Sequence, residues 1–128
     1  MEKERKLKEM DRITSVEDLT VFKRAHALTL SIYKISSKFP SEEKFGLVSQ
    51  MRRAASSIPT NLTEGAHRSN KAEYRQFVGI ARGSAGELKY HLLLARDLGH
   101  LSEPQYETFT VEINEISKML SGLVKSLS

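Results

Sequence analysis

Residues 70–98 read NKAEYRQFVGIARGSAGELKYHLLLARDL, and the spacing of apolar residues in this stretch decides the fold class. Tyr74, Phe77, Ala81, Ala85, Leu88, Leu92 and Ala95 recur at intervals of three and four, the period of an amphipathic helix and not of a strand. Asn70, followed three residues later by Glu73, supplies a capping pair for the first turn, and Gly99 stands where helices commonly terminate. A helix of this length turns one seam toward a core and leaves another face outward. On that outward side Arg68, Arg75, Arg82, Lys89 and Arg96 recur at every seventh position. Seven residues make almost two turns, so the charges repeat about every 10 Å and drift by only about 20° per step. Such a row suits a phosphate-bearing partner; the competing reading is the solvated outer face of a bundle helix.

Upstream, Phe22, Ala25, Leu28, Thr29, Ile32, Ile35 and Phe39 share the same period and predict a helix over about residues 19–38, ended by Pro40. Ser41 is placed to cap a second helix, with Glu42 and Glu43 complementing the positive end of its dipole. Its inward positions are Leu47, Met51, Ala54, Ala55, Ile58 and Leu62; Pro59 removes one interior hydrogen bond, and the helix should stop near residues 65–68. Downstream, Ser102 and Gln105 open a last helix whose seam is Tyr106, Phe109, Ile113, Ile116, Leu120, Leu123 and Leu127. Four helices with short links predict an all-α, antiparallel up-down-up-down four-helix bundle. Residues 17–128 form that single domain, and residues 1–16, rich in charges of both signs, are expected to be a flexible arm.

With no cysteine, the chain lacks structural disulfides, thiolate metal sites and cysteine nucleophiles, and suits a reducing cytoplasm. No apolar run approaches the roughly 20 residues that span a bilayer, so no membrane is expected as a partner. Net charge is +4, unevenly spread: residues 51–100 hold eight Lys or Arg against four Asp or Glu, whereas residues 101–128 hold two against four. The asymmetry favours an oriented contact with a polyanion.

Outside its seam the long helix carries Tyr90, Leu93 and Leu94, apolar residues that a monomer would leave wet, so they are candidates for a homo-oligomer interface. Gly79, Gly83 and Gly86 each cost a helix about 1 kcal/mol, acceptable where another backbone approaches; tight packing inside the bundle is the favoured reason. Glu64 and His67 have the spacing of di-iron bundles, and Glu87 and His91 lie one turn apart, but the first and last helices offer no inward carboxylate to complete such a site. Pairing of Glu64 and Glu87 with Arg53 or Arg82 accounts for these residues more simply, and neither metal nor cofactor is expected. There is no phosphate-cradling glycine loop and no nucleophile elbow, and an enzyme is not expected. Arg52 and Arg53 precede the small residues Ala54 to Ser57, which would let a second surface come close. The stripe lacks interleaved exposed aromatics for base stacking, so any contact should follow backbone and shape.

The run Phe45-Gly46-Leu47, then Gln50-Met51-Arg52-Arg53-Ala54-Ala55-Ser56-Ser57-Ile58-Pro59, Asn61-Leu62 and Glu64-Gly65, followed by Ile80-Ala81, Gly83-Ser84 and Glu87-Leu88, closely resembles the bacterial four-helix bundle family. That family includes proteins encoded by intervening sequences within large-subunit ribosomal RNA genes. The resemblance covers residues 19–127 and implies a noncatalytic bundle, assembled as a homopentamer, whose basic surface contacts nucleic acid. More remotely, the chain is similar to the accessory variability determinant of diversity-generating retroelements, which implies a reverse transcriptase as an alternative partner and a role as a protein-interaction scaffold. The polar motif residues Gln50, Arg53, Asn61, Glu64, Ser84 and Glu87 are either a ligand site or a network that staples the bundle. The leading expectation is a nucleic-acid-binding oligomer, RNA favoured over DNA by resemblance, with Arg68, Arg75, Arg82, Lys89 and Arg96 on phosphates and Arg52 and Arg53 in support.

Overall fold

A computed structural model describes residues 1–2 and 19–128. Most of the charged arm, residues 3–16, therefore lies outside the described residues. Among those described there are four α-helices and no strand: α1 (Thr20–Ser36), α2 (Leu47–Ala66), α3 (Lys71–Asp97) and α4 (Glu103–Ser126), with a short 3-10 turn at Ser41–Glu43.

The seams read from periodicity are the core. Ile32, Met51, Ile58, Leu62, Leu88, Leu92, Ile113, Ile116 and Leu120 are fully buried, each contributing about 1.5–3 kcal/mol of apolar transfer. Each helix packs on the next, and α1 meets α4 to close the ring. That last junction is looser, with a cleft of about 370 Å³ between Lys34, Ile35, Thr108 and Phe109. It is braced by a two-pronged pair in which Arg24 Nε and Nη2 donate to Glu112 Oε1 and Oε2 at 2.7 and 3.0 Å.

Local signals set most boundaries. The Asn70 side chain accepts from the Glu73 amide at 2.9 Å, and Ser102 and Gln105 form a full capping box. Gly99 takes φ of +83°, the left-handed conformation that closes α3 and that glycine adopts without a Cβ penalty. Two boundaries differ from expectation. α1 stops at Ser36 because the amides of Lys38 and Phe39 tighten into bonds with Ile35 and Ser36, ahead of a proline that disfavours helix in the residue before it. Ser41 does not cap α2, which begins at Leu47; the residues after Pro40 form the 3-10 turn instead. Tertiary contact overrides local capping there: Glu43 Oε2 lies 3.2 Å from His100 Nε2, and the His100 ring sits 5.3 Å from that of Phe39.

Pro59 lies inside α2 and offers no donor to the Ala55 carbonyl. Thr29 Oγ1 of α1 approaches that oxygen at 3.1 Å, while also lying 2.8 Å from the Ala25 carbonyl of its own helix. Gly65 is tight for another reason: a Cβ there would stand 2.9 Å from Phe77 Cβ and from Tyr74 Cδ1, so α3 crosses close over α2. Gly79, Gly83 and Gly86 correct the reading from sequence. A Cβ at any of them would meet nothing within 4 Å, so internal packing does not explain them and they lie on the outer side of α3.

Candidate nucleic-acid interface

The structure sorts the heptad-spaced cations into two groups, and places Arg68 in the turn ahead of α3 instead of on the helix itself. Arg75, Arg82 and Lys89 are exposed, and among the described residues no ion pair or ring contact engages them. The two ends of the row are held. Arg68 Nη2 pairs with Glu64 Oε1 at 2.9 Å and its guanidinium lies 4.6 Å from the Phe77 ring. Arg96 is half-buried, donating to Asp97 at 3.0 Å, lying 3.7 Å from Glu103 and stacking 4.4 Å from the Tyr106 ring. These contacts hold the Arg96 guanidinium above its ordinary pKa, chiefly through the hydrogen bond to Asp97.

Arg52 and Arg53 do not extend this face. Arg52 clamps α2 to the end of α1: Nε donates to Ser36 Oγ at 2.9 Å, Nη2 to the Tyr33 carbonyl at 3.1 Å, and the guanidinium lies 4.7 Å from the Tyr33 ring. Arg53 Nη2 donates to Glu87 Oε1 at 2.8 Å. At 100° per residue Glu87 stands about 140° around α3 from Arg82, so this pair occupies the opposite flank from the exposed cations. The sequence reading missed the clamp at Arg52 because its partners Ser36 and Tyr33 lie on another helix, 16 and 19 residues away.

That opposite flank is a polar seam between α2 and α3. Ser57 Oγ and Ser84 Oγ are 2.8 Å apart, and Asn61 Nδ2 donates to the Ser57 carbonyl and hydroxyl at 2.8 and 2.9 Å. With Arg53–Glu87 across the seam and Glu64 paired to Arg68 just past the end of α2, five of the polar motif residues, Arg53, Asn61, Glu64, Ser84 and Glu87, serve intramolecular contacts. Arg53 took Glu87 as anticipated; Glu64 took Arg68 instead of Arg53 or Arg82. The seam is a staple, each neutral bond worth about 0.5–1.5 kcal/mol.

His91, one turn beyond Glu87, is only 5% exposed and its Nδ1 has no hydrogen-bond partner among the described residues. Burial pushes its pKa below the ordinary 6.5, with Glu87 opposing and Arg53 reinforcing the shift, so the ring is neutral at pH 7. His67 turns Nδ1 to the Thr63 carbonyl at 2.8 Å. Among the described residues no three His, Asp or Glu side chains converge as a metal site.

Of the interface candidates, Tyr90 is 59% exposed, as expected. Leu93 and Leu94 are half-buried, and Leu94 packs against the core, which corrects its reading as an outward residue. It sits in the last turn of α3, from which Gly99 redirects the chain and Leu101 is buried. Outward beside Tyr90 lie the three glycines and Ile80, itself 48% exposed. No described helix is long and apolar enough to cross a membrane.

Residues 17–122 match the model of the family described as 23S rRNA-intervening sequence protein. The chain is also similar to a solved structure of a protein of unknown function from the S23 ribosomal protein family of Bacteroides thetaiotaomicron VPI-5482, with 25% identity and a TM-score of 0.75 over 83% of this chain and 99% of that one. The comparison with curated proteins gives no match. The family model spans most of the helical domain, and the chain belongs to the 23S rRNA-intervening sequence protein family.

Proposed function

We propose that this chain is a noncatalytic, cytoplasmic RNA-binding protein: an up-down-up-down four-helix bundle that assembles as a homo-oligomer and holds the RNA backbone on the outward flank of α3. The observation that carries the reading is the row Arg75, Arg82 and Lys89, exposed at heptad spacing and paired with no carboxylate among the described residues, beside cations at Arg68 and Arg96 that are already committed to intramolecular pairs. Three like charges spaced about 10 Å apart repel one another and gain nothing from the fold, which suits a row kept for an anionic partner. Membership in a family described by 23S rRNA supports RNA as that partner.

The topology is supported by contacts that step in opposite directions along neighbouring helices: Thr29 meets Ala55 where Ser36 meets Arg52, and Arg53 meets Glu87 where Ser57 meets Ser84. Oligomerisation is supported by the outer strip of α3, where Gly79, Gly83 and Gly86 leave the backbone open next to Ile80 and Tyr90. Titrating the protein with a structured RNA across a salt series tests the reading. Binding whose log K falls with log salt with a slope of roughly −2 or steeper is expected for three phosphate contacts. No binding at low salt would overturn it and turn the search to protein partners.

A further inference from the structure

Carboxylates thin out along α4. Glu103, Glu107, Glu112 and Glu115 all fall in its first part, while residues 116–128 contain no Asp or Glu and carry Lys118 and Lys125. Both lysines are exposed, and they are seven residues apart, the spacing of the row on α3. α3 and α4 are joined by five residues, Leu98 to Ser102, and pack along their lengths, so α4 runs back beside α3.

The contacts of Arg96 with Glu103 and Tyr106 fix the register. From Arg96 back to Arg82 is about 21 Å of helix at 1.5 Å per residue, and the same distance forward along α4 from residues 103–106 reaches residues 117–120. Lys118 is therefore level with Arg82. One heptad further, Lys125 is level with Arg75. Around each helix these side chains fall on the side shared by α3 and α4, because Arg96 and Tyr106 mark the flanks that touch and the four cations lie beyond them toward solvent.

Between the lysines lies a depression of about 400 Å³ lined by Ser117, Lys118, Ser121, Gly122 and Lys125. Gly122 has no packing reason to lack a side chain, since a Cβ there would meet nothing within 4 Å, yet a glycine inside a helix costs about 1 kcal/mol. Its absence of bulk keeps the depression open between two hydroxyls and two ammonium groups. Residues 116–128 include no aromatic side chain on which an unpaired base could stack.

We propose that Lys118 and Lys125, with the Ser117–Ser121–Gly122 depression, form a second phosphate-binding row parallel to Arg75 and Arg82, and that the paired rows grip the two backbones of double-stranded RNA. This rests on the RNA-binding reading above. A single row follows one strand; two rows on helices whose axes pack about 8–10 Å apart reach phosphates on both strands of a duplex, a recognition by shape and backbone.

The test measures affinity and salt slope for a 20-base-pair RNA duplex and for one of its strands alone, using wild type, the Lys118→Gln/Lys125→Gln double variant and the Lys118→Arg/Lys125→Arg variant. Wild type should prefer the duplex. The Gln variant should lose at least about tenfold in duplex affinity, with a slope shallower by about two contacts, and the Arg variant should recover both. Circular dichroism should show equal helicity in all three. If wild type binds duplex and the Gln variant matches it in affinity and slope, the second row is overturned while RNA binding through α3 stands. If wild type binds neither RNA, the RNA-binding reading itself fails, and the second row with it.

Discussion

Thr29 Oγ1 stands 3.1 Å from the carbonyl oxygen of Ala55, the acceptor that Pro59 leaves without its helical donor. A defect in α2 is thus answered from α1, and the same contact fixes the register of the two helices. The hydroxyl has one proton for two carbonyls, Ala25 at 2.8 Å and Ala55 at 3.1 Å, and it is nearly buried. Thr29→Val should cost about 1–3 kcal/mol by stranding a buried acceptor. Pro59→Ala restores an amide to Ala55 and should recover most of that loss in the double variant, as read by urea unfolding of the four members of the cycle.

Gly65 marks the closest approach of α2 and α3. A methyl group there would lie 2.9 Å from Phe77 Cβ and 3.2 Å from the Tyr74 carbonyl, too near for either to yield cheaply. Gly65→Ala should destabilise the protein by about 1–3 kcal/mol and lower its thermal midpoint by several degrees, despite alanine's better helix propensity. Gly83→Ala is the contrasting control: with open space around its Cβ, it should raise the stability of the isolated chain by about 0.5–1 kcal/mol. Weakened assembly of Gly83→Ala in light scattering would place a subunit contact on that strip.

Burial of His91 makes stability depend on pH. Its folded pKa lies below the ordinary 6.5, so the unfolded chain takes up the proton first as pH falls. The protein should hold its stability above about pH 6.5 and lose part of it as pH drops below that value. His91→Leu should flatten this decline. Urea midpoints at pH 7.5 and 5.5 check it: a pH difference as large in the variant as in wild type would exclude His91 as the source.

Much of this was legible in the sequence, and the reason is geometric. Helical period maps spacing directly onto a face, so Met51, Ile58, Leu88, Leu92, Ile113 and Leu120 were readable as core, and the caps at Asn70 and Ser102 depend on neighbours three residues away. What was not legible depends on chain remote in sequence. Nothing near Ser41 announces that Glu43 will be drawn to His100, 57 residues on, and α2 accordingly begins at Leu47. Arg52 finds Ser36 at a separation of 16 residues and the Tyr33 carbonyl at 19, so a census of cations overstated the free ones. Val78, Ser84 and His91 widen the buried face of α3 beyond its apolar seam for the same reason: both flanks are covered, by α2 on one side and α4 on the other.

The division of cations carries its own prediction. Arg52→Ala removes a clamp between α1 and α2 and should lower stability by about 1–2 kcal/mol with little effect on RNA affinity per folded molecule, because Nε, one Nη2 hydrogen and the guanidinium face hold Ser36 and Tyr33 of α1, away from the row on α3. Unfolding curves and binding isotherms of the same preparation separate the two effects.

The row Arg75, Arg82 and Lys89 on α3 is the proposed RNA contact. Affinity for a structured RNA at one moderate salt concentration, compared between wild type and the Arg75→Glu/Arg82→Glu/Lys89→Glu variant with helicity confirmed by circular dichroism, tests it most directly. The variant should keep its fold and lose at least about a hundredfold in affinity, since three phosphate contacts become three repulsions. A folded variant that binds as wild type does would contradict it.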